Sequence, residues 1–118
     1  MYNRFMEPHL PKNVLLALRK LQADLRKIYH EQAPMLLLYG SYARGEAQDA
    51  SDVDVLLIYP SEVLAGQEIE RLTGVLADLN LRYQVLISIT PTSEKSFRHL
   101  TGAFWNNIRR EGVMIGKD

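Results

Sequence analysis

The sequence predicts a single α+β domain over residues 1–118, with an irregular lead-in at residues 1–10. Apolar side chains recur every three or four residues from Val14 to Ile28, which is the spacing of one helix face. Residues 35–39 are instead a short, continuous apolar run that ends at a glycine, which is typical of a buried strand, and residues 53–59, apolar except for Asp54, are predicted to form a second strand that ends at Pro60. The predicted order of elements is helix, strand, strand, helix, strand, helix.

The first helix is predicted to begin after Pro11, because the first turn of a helix does not need the N–H that proline lacks. Its apolar stripe consists of Val14, Leu18, Leu21, Leu25 and Ile28. A stripe of this length indicates a helix that packs on a sheet. The alternative, a coiled-coil seam, would need several more heptads.

The second half of the chain continues the alternation. After the strand at 53–59, an apolar face predicts a second helix that stops near Asn80, and its members are Ile69, Leu72, Leu76 and Leu79. Residues 82–89 are predicted to form a third strand. Two short helices are predicted at 93–100 and 103–110, and residues 113–115 are predicted to pair as a short edge strand.

Composition narrows the class of protein. Lysine plus arginine and aspartate plus glutamate both number 14, so the formal net charge is zero, which argues against a non-specific nucleic-acid binder. The absence of cysteine excludes a disulfide framework, a thiolate zinc site and a thiol nucleophile. No apolar stretch approaches the roughly 20 residues of a membrane span, and the N-terminus lacks the features of a signal peptide. We therefore expect a soluble cytoplasmic protein without membrane or direct nucleic-acid partners.

Asp52 and Asp54 are candidate metal ligands at the entry of the second strand. Residues i and i+2 of a strand project to the same face, so the two carboxylates would lie side by side and repel each other without a cation. Oxygen ligands of this kind suit Mg²⁺ or Mn²⁺. Taken alone, such a short motif is more often a solvated turn.

The turn at Gly40 and Ser41 is a candidate phosphate site. Glycine allows the backbone to approach a ligand closely, and Ser41 supplies a hydroxyl and can open a short helix. Arg44 is near enough to donate to the same phosphate oxygens. Taken alone, this turn would be an ordinary connection between a strand and a helix.

The combination is more specific than either part. A strand followed by Gly40-Ser41, then Ala43-Arg44-Gly45, then Ser51-Asp52 and Asp54 resembles the signature of the DNA polymerase beta-like nucleotidyltransferase superfamily. Within it, the chain is similar to the minimal nucleotidyltransferases. The resemblance implies a short mixed β-sheet with helices packed on one side, the nucleotidyltransferase fold.

The resemblance also implies an activity. Asp52 and Asp54 would be the catalytic residues and hold Mg²⁺ or Mn²⁺, while Gly40, Ser41 and Arg44 would bind a nucleoside triphosphate, expected to be ATP. A nucleoside monophosphate, expected to be AMP, would pass to a hydroxyl of an acceptor protein. In this branch the usual partner is a small helical HEPN-type toxin, and the transferase is its antitoxin. A homodimer is a further expectation for the assembly.

One part of the family pattern is missing, because the family carries a third carboxylate on the next strand and residues 82–89 contain none. Gln84 and Ser88 are the nearest substitutes. Glu46 and Asp49 in the loop are further candidates, but we interpret them as solvated loop charges. The alternative function is therefore a catalytically weak or inactive nucleotide- or partner-binding protein on the same fold. A drug-modifying nucleotidyltransferase would need an acceptor domain, which a dimer could supply.

Aromatic residues lie near the motif and near the end of the chain. Phe97, Phe104 and Trp105 are interpreted as a core or docking patch rather than as a base-stacking surface. Tyr39 and Tyr42 flank the Gly40-Ser41 turn and are weaker candidates for packing near a nucleotide.

Overall fold

The computed structural model describes residues 9–116, so most of the predicted lead-in at 1–10 lies outside the described residues. The strands are β1 (Met35–Tyr39), β2 (Val53–Tyr59), β3 (Ile87–Ser93) and β4 (Val113–Met114). The α-helices are α1 (Lys12–Tyr29), α2 (Ser41–Arg44), α3 (Ala65–Tyr83), α4 (Glu94–His99) and α5 (Ala103–Glu111). A short 3₁₀ turn, His30–Gln32, follows α1.

The strands form one mixed sheet in the order β3-β2-β1-β4. β1 pairs antiparallel with both β2 and β4, whereas β2 and β3 run parallel and are connected through α3. This arrangement confirms the predicted α+β fold with a short mixed sheet. β4 is an edge strand, as predicted, and its pairing with β1 places α5 next to the end of β1.

β2 is covered on both faces. Val53, Val55 and Leu57 pack with the apolar stripes of α1 and α3 in the larger core cluster. The residues between them, Leu56 and Ile58, pack with residues of α4 and α5 in a second cluster on the opposite face. The two long helices therefore lie on one side of the sheet, as predicted, and two short helices cover part of the other side.

The prediction for residues 82–89 is wrong in its first half. The helix α3 does not stop at Asn80 but continues to Tyr83, and Gln84 ends it in a left-handed conformation with φ 55°. The strand then begins at Ile87 rather than at Arg82. Asn80 acts inside this connection, where its side-chain Oδ1 accepts a hydrogen bond of 2.9 Å from the backbone N–H of Ile87.

The remaining elements lie within a few residues of their predicted positions. α1 starts directly after Pro11, and α2 opens at Ser41, as the turn at Gly40 predicts. Ser93 caps α4, because its Oγ accepts a hydrogen bond of 3.0 Å from the N–H of Ser96. Among residues 9–116, none of the helices combines the length and the apolar character that a membrane span requires.

Candidate functional site

The sheet brings the two halves of the sequence motif together at one edge. In the antiparallel pairing of β1 with β2, Tyr39 lies opposite Asp54, and in the parallel pairing of β2 with β3, Asp54 lies beside Ser88. Tyr39, Asp54 and Ser88 therefore form a row across three strands. Because side chains alternate along a strand, this row projects from the same face as Leu56, which is the face opposite α1 and α3.

Gly40 is in direct contact with the carboxylate of Asp54. A Cβ atom placed on Gly40 would lie 2.2 Å from Asp54 Oδ2, which is far inside the contact distance. Gly40 also has a φ of 77°, a conformation that other residues rarely adopt. Both constraints require glycine at this position, and they allow the backbone of the turn to lie against the carboxylate of Asp54.

Asp54 lies on β2, whereas Asp52 comes just before the strand begins at Val53, and the two carboxylates have different surroundings. Asp52 is exposed and Asp54 is half-buried. Burial raises the pKa of Asp54 above its ordinary value, the charge of Asp52 raises it further, and Arg44 lowers it. A cation bound to both carboxylates would relieve this repulsion.

The donor set fits Mg²⁺ bound together with a nucleotide. Within residues 9–116 no group of three or more histidine, cysteine, aspartate or glutamate side chains is arranged to hold a metal ion. Mg²⁺ usually keeps several waters and takes one or two protein carboxylates plus phosphate oxygens of the substrate. Asp52 and Asp54 meet that requirement, whereas a dedicated all-protein metal cage would need more ligands.

Arg44, the arginine predicted to bind phosphate, contacts two glutamates. Its Nε donates a hydrogen bond of 2.9 Å to Glu46 Oε1, and its Nη1 lies 3.5 Å from Glu111 Oε1 on α5. The hydrogen bond to Glu46 is the main reason that the pKa of Arg44 is raised. Exposed ion pairs of this kind are weak, so a phosphate group could replace them.

The structure distinguishes between the two substitutes considered for the missing carboxylate. Gln84 ends α3 and is not part of a strand, so the suggestion that it takes the carboxylate position is wrong. Ser88 lies on β3 beside Asp54 and is exposed. Of the loop carboxylates, Glu46 bonds to Arg44, and Asp49 is exposed; neither joins Asp52 and Asp54 in a metal-binding group.

A cleft beside the motif contains residues that sequence reasoning did not assign to the site. It has a volume of about 320 Å³ and lies between the Gly40 turn and α5. Phe104, Asn107 and Glu111 contribute from α5, at the spacing of one helix face. That spacing was visible in the sequence, but only the pairing of β4 with β1 shows that this face meets the turn.

Gly40→Ala is expected to weaken Mn²⁺ or Mg²⁺ binding by about tenfold or more, because the new methyl group displaces the Asp54 carboxylate. Gly45→Ala is the matched control: Gly45 has a φ of 73°, yet nothing lies within 4 Å of a Cβ atom placed there. Calorimetric titration with Mn²⁺ measures the metal affinity of each variant, and urea unfolding checks that each variant is folded. Equal metal affinity of the two variants would contradict the role given to the close contact.

Asp54→Asn is expected to stabilise the metal-free protein at neutral pH. Because the pKa of Asp54 is higher in the folded than in the unfolded state, its ionisation costs stability as the pH rises through the folded pKa. The gain from the substitution should vanish below about pH 3.5, where the carboxyl group is mostly protonated in both states. Urea unfolding at neutral and acid pH tests this, with the exposed Asp49→Asn as control; a gain that is equal at both pH values would refute it.

A family model for the nucleotidyltransferase domain matches residues 18–101. The matched segment contains the Gly40 turn, both aspartates and the whole of β3.

Two curated proteins of Methanocaldococcus jannaschii, both named as candidate protein adenylyltransferases, are similar in sequence. One is 29% identical over 75 residues, which cover 64% of this chain and 75% of the relative. The other is 27% identical over 100 residues, which cover 84% of this chain and 94% of the relative.

Two solved structures share the fold. A toxin–antitoxin crystal structure with AMP-PNP has a TM-score of 0.57 at 13% identity, over 92% of this chain and 75% of that one. A candidate nucleotidyltransferase from Sulfolobus solfataricus has a TM-score of 0.56 at 14% identity, over 90% of this chain and 88% of that one. The family model spans most of the chain and includes the turn and both aspartates, so this protein belongs to the nucleotidyltransferase domain family.

Proposed function

We propose that the protein is a Mg²⁺-dependent nucleotidyltransferase that moves AMP from ATP to a hydroxyl group of a protein acceptor. The observation that carries this proposal is the contact between Gly40 and Asp54, which joins a phosphate-binding turn to a pair of carboxylates. The names of the two archaeal relatives support transfer of an adenylyl group to protein.

Each residue of the motif has a distinct role. The backbone of Gly40 and the hydroxyl of Ser41 bind the triphosphate, and Arg44 donates to its oxygens after release from Glu46 and Glu111. Asp52 and Asp54 hold Mg²⁺. When bound, this ion supplies positive charge that offsets the charge of the triphosphate and of the departing pyrophosphate.

The reaction is a displacement at the α-phosphorus. The oxygen of the acceptor hydroxyl forms a bond to this phosphorus, the bond to the bridging oxygen breaks, and pyrophosphate leaves with the electron pair. The hydroxyl proton passes to water, because β3 presents Ser88 rather than a carboxylate beside Asp54. Proton transfer by a positioned base contributes about 10²–10⁴-fold to rate, so we expect slow turnover.

The acceptor is a partner protein, and we propose a small helical HEPN-type toxin that is blocked by AMP on a tyrosine, in the cytoplasm. The solved structure described as a toxin–antitoxin with AMP-PNP supports this assignment through its shared fold. On this chain, the side of the acidic pair next to β3 is open, since Ser88 is exposed and Leu86 is 55% exposed. An acceptor side chain can approach from that side.

A second candidate is a non-catalytic antitoxin that binds nucleotide and neutralises its partner by contact. Ser88 at the position beside Asp54 favours this alternative, because a serine hydroxyl is a weak base and a poorer metal ligand than a carboxylate. Metal and nucleotide binding would be retained in both cases. Only a measurement of AMP transfer to the acceptor separates the catalytic from the non-catalytic candidate.

Transfer is tested by incubation with Mg²⁺, ATP labelled at the α-phosphate and the purified product of the adjacent gene as acceptor. We expect label on the acceptor with wild type and a loss of about 10²-fold or more with Asp52→Ala/Asp54→Ala, because removing a ligand pair removes the bound charge. Asp49→Ala, at an exposed loop carboxylate, serves as a control that retains activity. No transfer by wild type, or equal transfer by the double variant, would reject the enzymatic proposal.

Ser88→Asp is expected to raise the rate of transfer by about tenfold or more, because it places a carboxylate beside Asp54. Ser88→Asn has nearly the same shape without the charge and should give no increase. Initial rates of labelling at saturating Mg²⁺ provide the measurement. A decrease with both variants, or the same rate for both, would show that the position beside Asp54 does not limit proton transfer.

A further inference from the structure

The cleft beside the Gly40 turn is continuous with the proposed triphosphate site. Gly40 and Arg44 line it on one side, and Phe104 and Asn107 line it on the other. Its volume of about 320 Å³ is at the lower end of the roughly 300–1,000 Å³ of small-molecule sites. A group attached to the triphosphate and directed away from β3 would enter this cleft.

Phe104 gives the cleft an aromatic wall. It is 50% exposed, although its neighbour on the same helix face, Ile108, is only 3% exposed. The edge-to-face contacts of Phe104 with Tyr39 and Trp105, at centroid distances of 6.0 and 5.1 Å, hold the ring in place. The exposed part of the ring lines the cleft, so an aromatic face is available to a ligand there.

Tyr39 completes the floor of the cleft. Its hydroxyl lies 3.2 Å from Oγ1 of Thr90, and since Tyr39 is on β1 and Thr90 is on β3, the ring crosses over β2. The phenol of tyrosine is uncharged at neutral pH. The floor and the wall of the cleft are therefore neutral aromatic rings, which suit a flat aromatic ligand.

Asn107 adds a directed polar group on the same face of α5. Its Oδ1 accepts a hydrogen bond of 2.7 Å from Nη2 of Arg110. Arginine can only donate, so this bond fixes which end of the amide is the oxygen and leaves the N–H₂ group as a donor. Ring nitrogens and carbonyl oxygens of a nucleobase are acceptors for such a donor.

We infer that this cleft binds the nucleobase of the nucleoside triphosphate, with the base stacked on Phe104 and hydrogen-bonded by the amide N–H₂ group of Asn107. The inference rests on the proposed nucleotide binding at Gly40, Ser41 and Arg44. A two-ring purine is the favoured occupant, because it offers more stacking area than a pyrimidine. The sequence predicts a core or docking patch made of Phe97, Phe104 and Trp105. Phe97 is fully buried and is a core residue, whereas we assign the exposed Phe104 to nucleobase binding.

The test compares affinities for Mg-ATP, Mg-UTP and Mg-tripolyphosphate, which lacks a base. Phe104→Ala should weaken Mg-ATP binding by about tenfold, leave Mg-tripolyphosphate within about twofold, and narrow the preference for ATP over UTP. Phe104→Leu, which keeps apolar volume without an aromatic face, should behave like Phe104→Ala. Leu81→Ala is the control, because Leu81 is 83% exposed on α3.

The only tryptophan of the chain, Trp105, provides an independent readout next to Phe104. Its fluorescence should change on addition of Mg-ATP and much less on addition of Mg-tripolyphosphate. Asn107→Leu should weaken Mg-ATP by about fivefold, the loss expected for one hydrogen bond.

The outcomes separate the two proposals. Equal losses for Mg-ATP and Mg-tripolyphosphate in Phe104→Ala, or no loss for either, would overturn the nucleobase site alone. Wild-type protein that binds tripolyphosphate as tightly as ATP would do the same. Wild-type protein that binds neither ligand would overturn the proposed function as well.

Discussion

The contact between Gly40 and the carboxylate of Asp54 is the constraint on which the rest of the site depends. It requires β1 and β2 to pair so that Tyr39 lies opposite Asp54, and it requires the chain to leave β1 with a positive φ. The turn then leads into α2, and Arg44 comes back toward the acidic pair. The proposed phosphate-binding turn and the proposed metal ligand Asp54 thus lie in one place because β1 and β2 pair in this register.

The motif was predictable from the sequence because its geometry is local. Strand alternation predicts that Asp52 and Asp54 project to one face, and a glycine after a buried strand predicts a tight turn. The resemblance to nucleotidyltransferases depended on the same short stretch. The mixed sheet followed from the resemblance, and the structure and the family match confirm it.

The third strand was misplaced because two signals overlap there. Tyr83 continues the apolar face of Leu72, Leu76 and Leu79 at helical spacing, yet the segment from Arg82 also reads as an alternating strand. The helix continues to Tyr83, and Gln84 ends it in a left-handed conformation that few non-glycine residues adopt. The cleft at α5 was beyond sequence reasoning for another reason, since it depends on the long-range pairing of Leu37 with Met114 and of Leu38 with Val113.

β2 packs against helices through both faces. One face contributes to the larger core, and the other carries Asp54 followed by the residues of the smaller core. Insertion or deletion of a single residue within Val53–Tyr59 would exchange these faces, turning Asp54 into the larger core and exposing core side chains at the site. Changes of chain length around β2 are therefore expected in the connections on either side of it, residues 45–51 and 60–64, rather than within the strand. Divergence within the strand itself has to proceed by substitution, one side chain at a time.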